Sequence, residues 1–414
     1  MKLFLHIGTS KTGTSFIQGS LAASRDRLAE AGICYPGPQQ SQFWLVSHFH
    51  EAPETIGLNI KRGYGDRAAI RADTTRYLKR LDEALRDKSF EKLILSSEYF
   101  STLDGEALRQ LAGHFGAAAC EVTVVCYVRH PVSHAASAMQ QDVKTGHRTL
   151  KECFAEPRFS RFSKLLPKFI EVFGKDNVVV RPFDYDALHE GDVRTDFCAV
   201  VGIDPGLIEE SATFRNESVS AEAALLLDAL ADTAPKLEGK RRNTDRAKNL
   251  RGLAAIAGTP FALPQEVADT VRADAAEDLA YLEEAFGIAL KEPEMPAEAG
   301  PDWSEATLRD LARLINDQAV EAERLKAIVL YQSGMLALYD NDPERAISSF
   351  DRALAFDPEL EVARKERADA RLESPATAKL KRSLLSVFGG HGPAAALSGL
   401  KLLRDRQTDD GNGA

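Results

Sequence analysis

At 414 residues, 44% hydrophobic and 28% charged, the chain is globular in composition and long enough for two or three domains. Its formal net charge of −10 argues against a nucleic-acid partner, and its five cysteines form no Cys-x-x-Cys pair and read as buried thiols of a reducing compartment. The apolar start is too short for a signal peptide and no run reaches membrane-spanning length, so a cytoplasmic protein without a membrane span is expected.

Taken in chain order, Leu3–Ile7 reads as a buried parallel strand and Thr14 to about Ala31 as a helix that Gly32 closes. Ile33–Gly37 is a short strand and turn. Residues from about 38 to 65 show weak periodicity and read as irregular. Arg67–Asp87 is helical, Lys92–Glu98 a strand, Ala107–Phe115 a helix and Glu121–Val128 the clearest strand. Helices follow at His134–Val143 and Phe162–Phe173, then a strand at Asn177–Phe183 and a helix at Asp192–Val201. Alternating strands and helices predict an α/β fold, a three-layer P-loop-like parallel sheet flanked by helices. From Ala221 to about Leu290 the pattern is mostly helical, interrupted by the basic segment Lys236–Arg251. Residues 291–302, rich in Pro, Glu and Gly, read as a linker, 303–374 as an all-α module, and 375–414 as a partly disordered tail.

Two places carry chemistry. Gly8-Thr-Ser-Lys-Thr-Gly-Thr-Ser15 joins the first strand to the first helix. Backbone N–H groups at a helix mouth form an anion site, to which Lys11 adds charge and Thr12, Thr14 and Ser15 add hydroxyls. Gly8 and Gly13 keep the Walker spacing, but Thr14 stands where a nucleotide triphosphatase has its lysine, and Lys11 comes three residues earlier. The second place follows the third long strand: Arg129 at the strand's C-terminal end, where open α/β sheets bind ligands, and Ser137 eight residues on, about two helical turns along. Arginine suits phosphate because its fork grips two oxygens.

Together these segments resemble the sulfotransferases that use 3′-phosphoadenosine-5′-phosphosulfate (PAPS), in the style of their bacterial branch, over about residues 1–290. The resemblance makes residues 10–15 (Ser10, Lys11, Thr12, Gly13, Thr14, Ser15) the 5′-phosphosulfate loop, and Arg129 with Ser137 the 3′-phosphate site. It implies a donor that needs no metal, in keeping with the lack of a convincing Walker-B aspartate. Lys11 would stabilise the leaving phosphate. Glu98, ending the second long strand, stands where such enzymes carry their base, with an ion pair to Arg129 or Lys11 as its plainer reading. His48, in Ser47-His-Phe-His50, is the rival base or else a hydrogen-bonded loop histidine, and His130 and His134 orient neighbours or bind acceptor. Lys236–Arg251 stands where the family has a basic loop over the donor's 3′-phosphate, but the usual glycine-rich, Lys-ending form is missing and a solvated charged helix or loop is the favoured reading; Arg215-Asn-Glu-Ser218 resembles an Asn-x-Ser element that braces the cofactor pocket.

The expected acceptor is a hydroxyl or amine of a carbohydrate, glycolipid or small molecule, and the acidic composition argues against a large acidic one. Rival readings are a P-loop phosphoryl-transfer enzyme and a non-catalytic nucleotide-binding scaffold. Within the helical module, Gly334, Ala346, Phe350, Ala353 and Pro358 resemble one tetratricopeptide (TPR) repeat over residues 327–360, with a plain helical hairpin as the alternative and a protein partner as its implication.

Overall fold

The computed structural model describes residues 1–37, 39–62, 64, 66–117, 120–209, 218–233, 237–238, 241–242, 250–292, 294 and 300–372. The chain divides into two compact units, Met1–Leu308 and Arg309–Ala414. Residues 302–307, expected in part to be linker, are tied into the first unit. Asp302 N donates to the buried Glu222 carboxylate (2.6 Å), and Thr307 Oγ1 donates to Ala257 O (3.2 Å).

In the first unit, β1 (Lys2–His6), β2 (Ile33–Cys34), β3 (Lys92–Ser96), β4 (Glu121–Val128) and β5 (Val178–Pro182) form a fully parallel sheet in the order β2-β3-β1-β4-β5. The apolar run of β1 is continuous because both sheet faces are covered, and its period of two divides it between them. Leu3, Leu5 and Ile7 enter one core with the helices Arg67–Arg86, Gly105–Gly116 and Phe162–Phe173; Phe4 enters the other with Thr14–Ala23 and Val193–Val201. In chain order the helices used below are α1 (Thr14–Ala23), α2 (Phe43–Phe49), α3 (Arg67–Arg86), α4 (Gly105–Gly116), α5 (Pro131–Thr145), α6 (Phe162–Phe173), α7 (Val193–Val201), α8 (Ala221–Thr233), α9 (Gln265–Phe286), α10 (Glu305–Tyr339), α11 (Pro343–Phe356) and α12 (Glu361–Leu372). From β1 the chain passes to the edge strand β2 and returns to β3 on one side, then crosses to β4 and β5 on the other, so the C-terminal ends of the central strands frame a topological switch point. His6 is level with Ser96 of β3 and Val125 of β4.

Two local expectations change. The first helix stops at Ala23: Ser24 turns out of helical geometry, bonds back to Ser20 O (2.9 Å) and accepts Glu209 N (2.8 Å), and a short helix restarts at Arg25. The stretch read as irregular contains α2. Its residues 43–47 (Phe, Trp, Leu, Val, Ser) are all buried, so no polar stripe gave the sequence a helical period.

In the second unit, residues 309–339 of α10, then α11 and α12 form a helical cluster. Ala346, Phe350 and Ala353 of α11 are fully buried against Ala337, with Leu330 and Tyr331 alongside. A side chain at Gly334 would meet the Phe350 ring at 2.4 Å, which is why glycine stands there. Residues 373–414 lie outside the described residues.

Candidate active site

The β1–α1 loop is held from beneath. Thr9 Oγ1 donates to Tyr127 O on β4 (2.8 Å), and Thr12 Oγ1 and Thr14 Oγ1 donate to Thr9 O (2.7 and 3.3 Å). These inward bonds use the hydroxyl protons of Thr12 and Thr14 on the loop itself. Ser10, Lys11 and Ser15 are the polar side chains left outward. Gly8, Lys11 and Gly13 take positive φ (48°, 65° and 73°). For Lys11 that conformation costs on the order of 1 kcal/mol, and strain of this kind is kept where the surroundings impose it. Neither glycine tolerates a side chain: a Cβ at Gly8 would lie 2.7 Å from Thr14 Oγ1, and one at Gly13 3.1 Å from Val193 and 3.2 Å from Phe183. Val193 opens α7, which the buried Asp196 clamps to the sheet by accepting from Tyr127 OH (2.8 Å), Arg181 and His189 N (3.0 Å). Among the described residues, no N–H from Gly8 to Ser15 donates to a backbone carbonyl; the first to do so is Phe16 N, to Gly13 O (3.0 Å). A run of unspent N–H groups at the mouth of α1 is an anion cradle.

Arg129 leaves β4 against this loop. Its Nη1 donates to Lys11 O (3.0 Å) and its Nε to Ser133 Oγ (3.1 Å), with Phe183 under the guanidinium at 5.7 Å. Lys11 Nζ donates to Gln141 Oε1 (3.1 Å). Ser133, Ser137 and Gln141 recur every four residues on α5, one helical stripe whose two ends touch Arg129 and Lys11. Ser137 lies between them on that stripe. The Lys11 and Arg129 corners, far apart in sequence, therefore meet directly. Ser218 Oγ and Val219 N both donate to Gln140 Oε1 on the same helix (2.8 and 3.0 Å).

Glu98 follows β3, and Ser97 N is held by His6 O (3.1 Å). Burial pushes the Glu98 carboxyl above its usual range, partly offset by the charge of Lys11. Burial likewise lowers the Lys11 ammonium, partly offset by Glu98, with Arg129 lowering it further. The two groups thus sense each other across the loop. Two clefts meet at Glu98 and Tyr99. The larger, about 460 Å³, runs from Thr9 and Ser10 past Ser101 and Thr102 to Arg161, Lys164 and Lys168 of the α6 segment. The smaller, about 190 Å³, carries Gln18, Gln39, Gln40 and Ser41 with Phe43 and Arg62.

The larger cleft is more basic than the overall composition suggests. Lys168 Nζ spends two donors on Ser101 O and Leu103 O (2.6 and 2.7 Å), and its ammonium has three. Arg161 lies over Phe159 (4.1 Å) and near Asp278 (3.6 Å). Lys164 is exposed. These residues escaped the sequence reading because three cations on one amphipathic helix look like a solvated face. His134 joins loop to cleft, its Nε2 bonded to Ser10 Oγ (2.9 Å) and Ser160 Oγ (3.3 Å); burial lowers it to about 4, so the ring is neutral.

His48 stands elsewhere. Its Nδ1 bonds Thr74 Oγ1 on α3 (2.9 Å), and burial, then Arg71 and His114, lower it to about 4. It lines neither cleft. Of the two basic or bracing segments named from sequence, residues 210–217 and 243–249 lie outside the described residues, as do 234–236 and 239–240; Leu237–Glu238 and Arg241–Arg242 pair antiparallel. Among the described residues, no group of three His, Cys, Asp or Glu side chains could hold a metal, and no helix is long and apolar enough to cross a membrane.

No protein-family model matches the chain, and no curated protein matches it. Among solved structures it is similar to the crystal structure of a sulfotransferase from Alicyclobacillus acidocaldarius, at 16% identity and a TM-score of 0.38, over 70% of this chain and 96% of that one. A likeness of that size decides nothing about the reaction.

Proposed function

We propose that residues 1–290 form a PAPS-dependent sulfotransferase. The observation that carries this is the direct contact between two anion grips: the unspent N–H run around Lys11, and Arg129 bonded to Lys11 O at 3.0 Å. One ligand bearing phosphate at two ends would use both, whereas a nucleoside triphosphate would want the lysine at position 14. When bound, PAPS supplies an activated sulfuryl group. Ser10, Lys11, Gly13, Ser15 and the loop N–H groups would hold its 5′ end. Thr12 and Thr14 act there through their N–H groups and by bracing Thr9, and Arg129 with Ser137 would hold the 3′-phosphate.

The reaction follows from charge. The acceptor's O–H (or N–H) proton passes to the Glu98 carboxylate while its oxygen or nitrogen forms the bond to sulfur. The sulfur–oxygen bond to the donor phosphate breaks, and Lys11 offsets the negative charge that appears on that phosphate. The raised proton affinity of Glu98 suits it to a base. The acceptor is a carbohydrate, glycolipid or small molecule, and the Arg161, Lys164 and Lys168 wall favours one that carries its own negative charge. Calorimetry of the full chain with adenosine 3′,5′-bisphosphate, and separately with ATP and Mg²⁺, tests the reading. Tight binding of the bisphosphate without metal is expected. Binding of ATP–Mg²⁺ alone would overturn it in favour of phosphoryl transfer.

A further inference from the structure

Helix α10 has two working faces in the second unit, and α11 covers one. Ala327, Gly334 and Ala337 are buried, with Leu330, Tyr331 and Leu338 beside them. On the opposite side a different period rules. Leu311, Ile315, Gln318, Ala322, Leu325, Val329, Gln332, Leu336 and Tyr339 alternate steps of four and three residues. That is a heptad seam sustained over four repeats, about 43 Å at a rise of about 1.5 Å per residue. The seam faces solvent: Ile315, Leu325, Val329, Leu336 and Tyr339 are 63, 56, 60, 64 and 64% exposed. A surface helix of a monomer does not spend its large apolar residues on water at this regularity.

The seam also says what covers it. Its a positions are Ile315, Ala322, Val329 and Leu336, and its d positions include Leu311 and Leu325. Two of the four a positions, Ile315 and Val329, are β-branched, and two of the five d positions, Leu311 and Leu325, are leucine, the combination that favours two parallel strands. In a parallel pair each g position faces the partner's e position five residues on. Glu321 at g then meets the partner's Lys326 at e, and the symmetry repeats the pair with opposite charges facing. Gln318 and Gln332 at d positions penalise registers that leave their amides unpaired.

We infer that α10 forms a parallel two-stranded coiled coil with α10 of a second copy of this chain, along the Leu311–Tyr339 seam. The inference is independent of the reaction. Sedimentation equilibrium of the full chain tests it: a particle of twice 45.3 kDa is expected. Ile315→Lys with Val329→Lys should return it to one chain's mass, with far-ultraviolet circular dichroism unchanged because both positions are exposed. Val329→Cys should give an interchain disulfide beyond that of the parent chain, since a parallel coil sets its a positions against each other. A monomer of 45.3 kDa, or a dimer that survives the double substitution, would overturn the inference. So would a dimer that the lysines dissociate but that Val329→Cys fails to cross-link, because its strands would not be parallel.

Discussion

The β1–α1 loop and the α6 wall of the larger cleft face one another, and they are built in opposite ways. The loop offers backbone. Its outward groups are unspent N–H donors, and its threonine hydroxyls are turned inward to Thr9 O. The wall offers side chains: Lys164 and Lys168 project from α6 and Arg161 from its N-cap. A backbone site demands particular residues in a short run and cannot drift without losing its shape. A side-chain site needs only charges on one helical face, so in the proposed reaction the donor end is the constrained end and the acceptor end the adaptable one.

The comparison can be broken where the two regions meet. Glu98→Gln should lower kcat by about 10²–10⁴-fold with donor affinity nearly unchanged. Its pH profile sharpens the test. In the proposed reaction Glu98 acts as carboxylate, and burial raises its pKa, so parent activity should fall as pH drops through a range above that of an ordinary carboxylate. The Glu98→Gln variant should lose that acid limb, and a limb that persists would remove Glu98 as base. Lys11→Ala should cost about 10²–10³-fold in kcat, the scale of one preorganised donor; unchanged turnover would take Lys11 out of the mechanism. Arg129→Ala should weaken adenosine 3′,5′-bisphosphate by about 10–100-fold in calorimetry, the scale of charge-assisted hydrogen bonds. No loss there would dismantle the two-ended cradle.

On the wall, Lys164→Ala should raise KM for an anionic acceptor by about two- to fivefold and leave the donor constant alone, as for an exposed charge contact. An equal loss on both would merge the two regions. His48→Ala is expected to leave kcat within about twofold, since the ring bonds Thr74 away from both clefts; a collapse would move the base to His48. His48 and His134 are lowered from 6.5 to about 4, so the unfolded chain binds more protons between those values. Stability should therefore decline as pH falls from 6.5 towards 4, and thermal melts of His48→Gln should show a shallower decline.

Much of this was legible in residue order. The five strands, the Gly8–Ser15 turn and Arg129 at the end of β4 all announce themselves locally, through apolar runs and the glycines that a tight turn requires. Other parts were hidden for identifiable reasons. α2 lost its period because its residues 43–47 are all buried. Ser24 broke a helix through a contact with Glu209, which no local pattern reveals. The α6 cations looked like solvent-facing charge until Ser101 and Thr102 were brought opposite them.

Residue order by itself determined the parallel α/β architecture and the loop that can cradle an anion, because those depend on hydrophobic period and on backbone freedom at particular glycines. Only the tertiary structure decided which side chains share the site. It set Arg129 on the Lys11 carbonyl, brought Glu98 to the junction of two clefts, and sent His48 to a hydrogen bond with Thr74. Those neighbours are joined by strand order and register, and strand order is a choice among packings that short-range sequence patterns leave open.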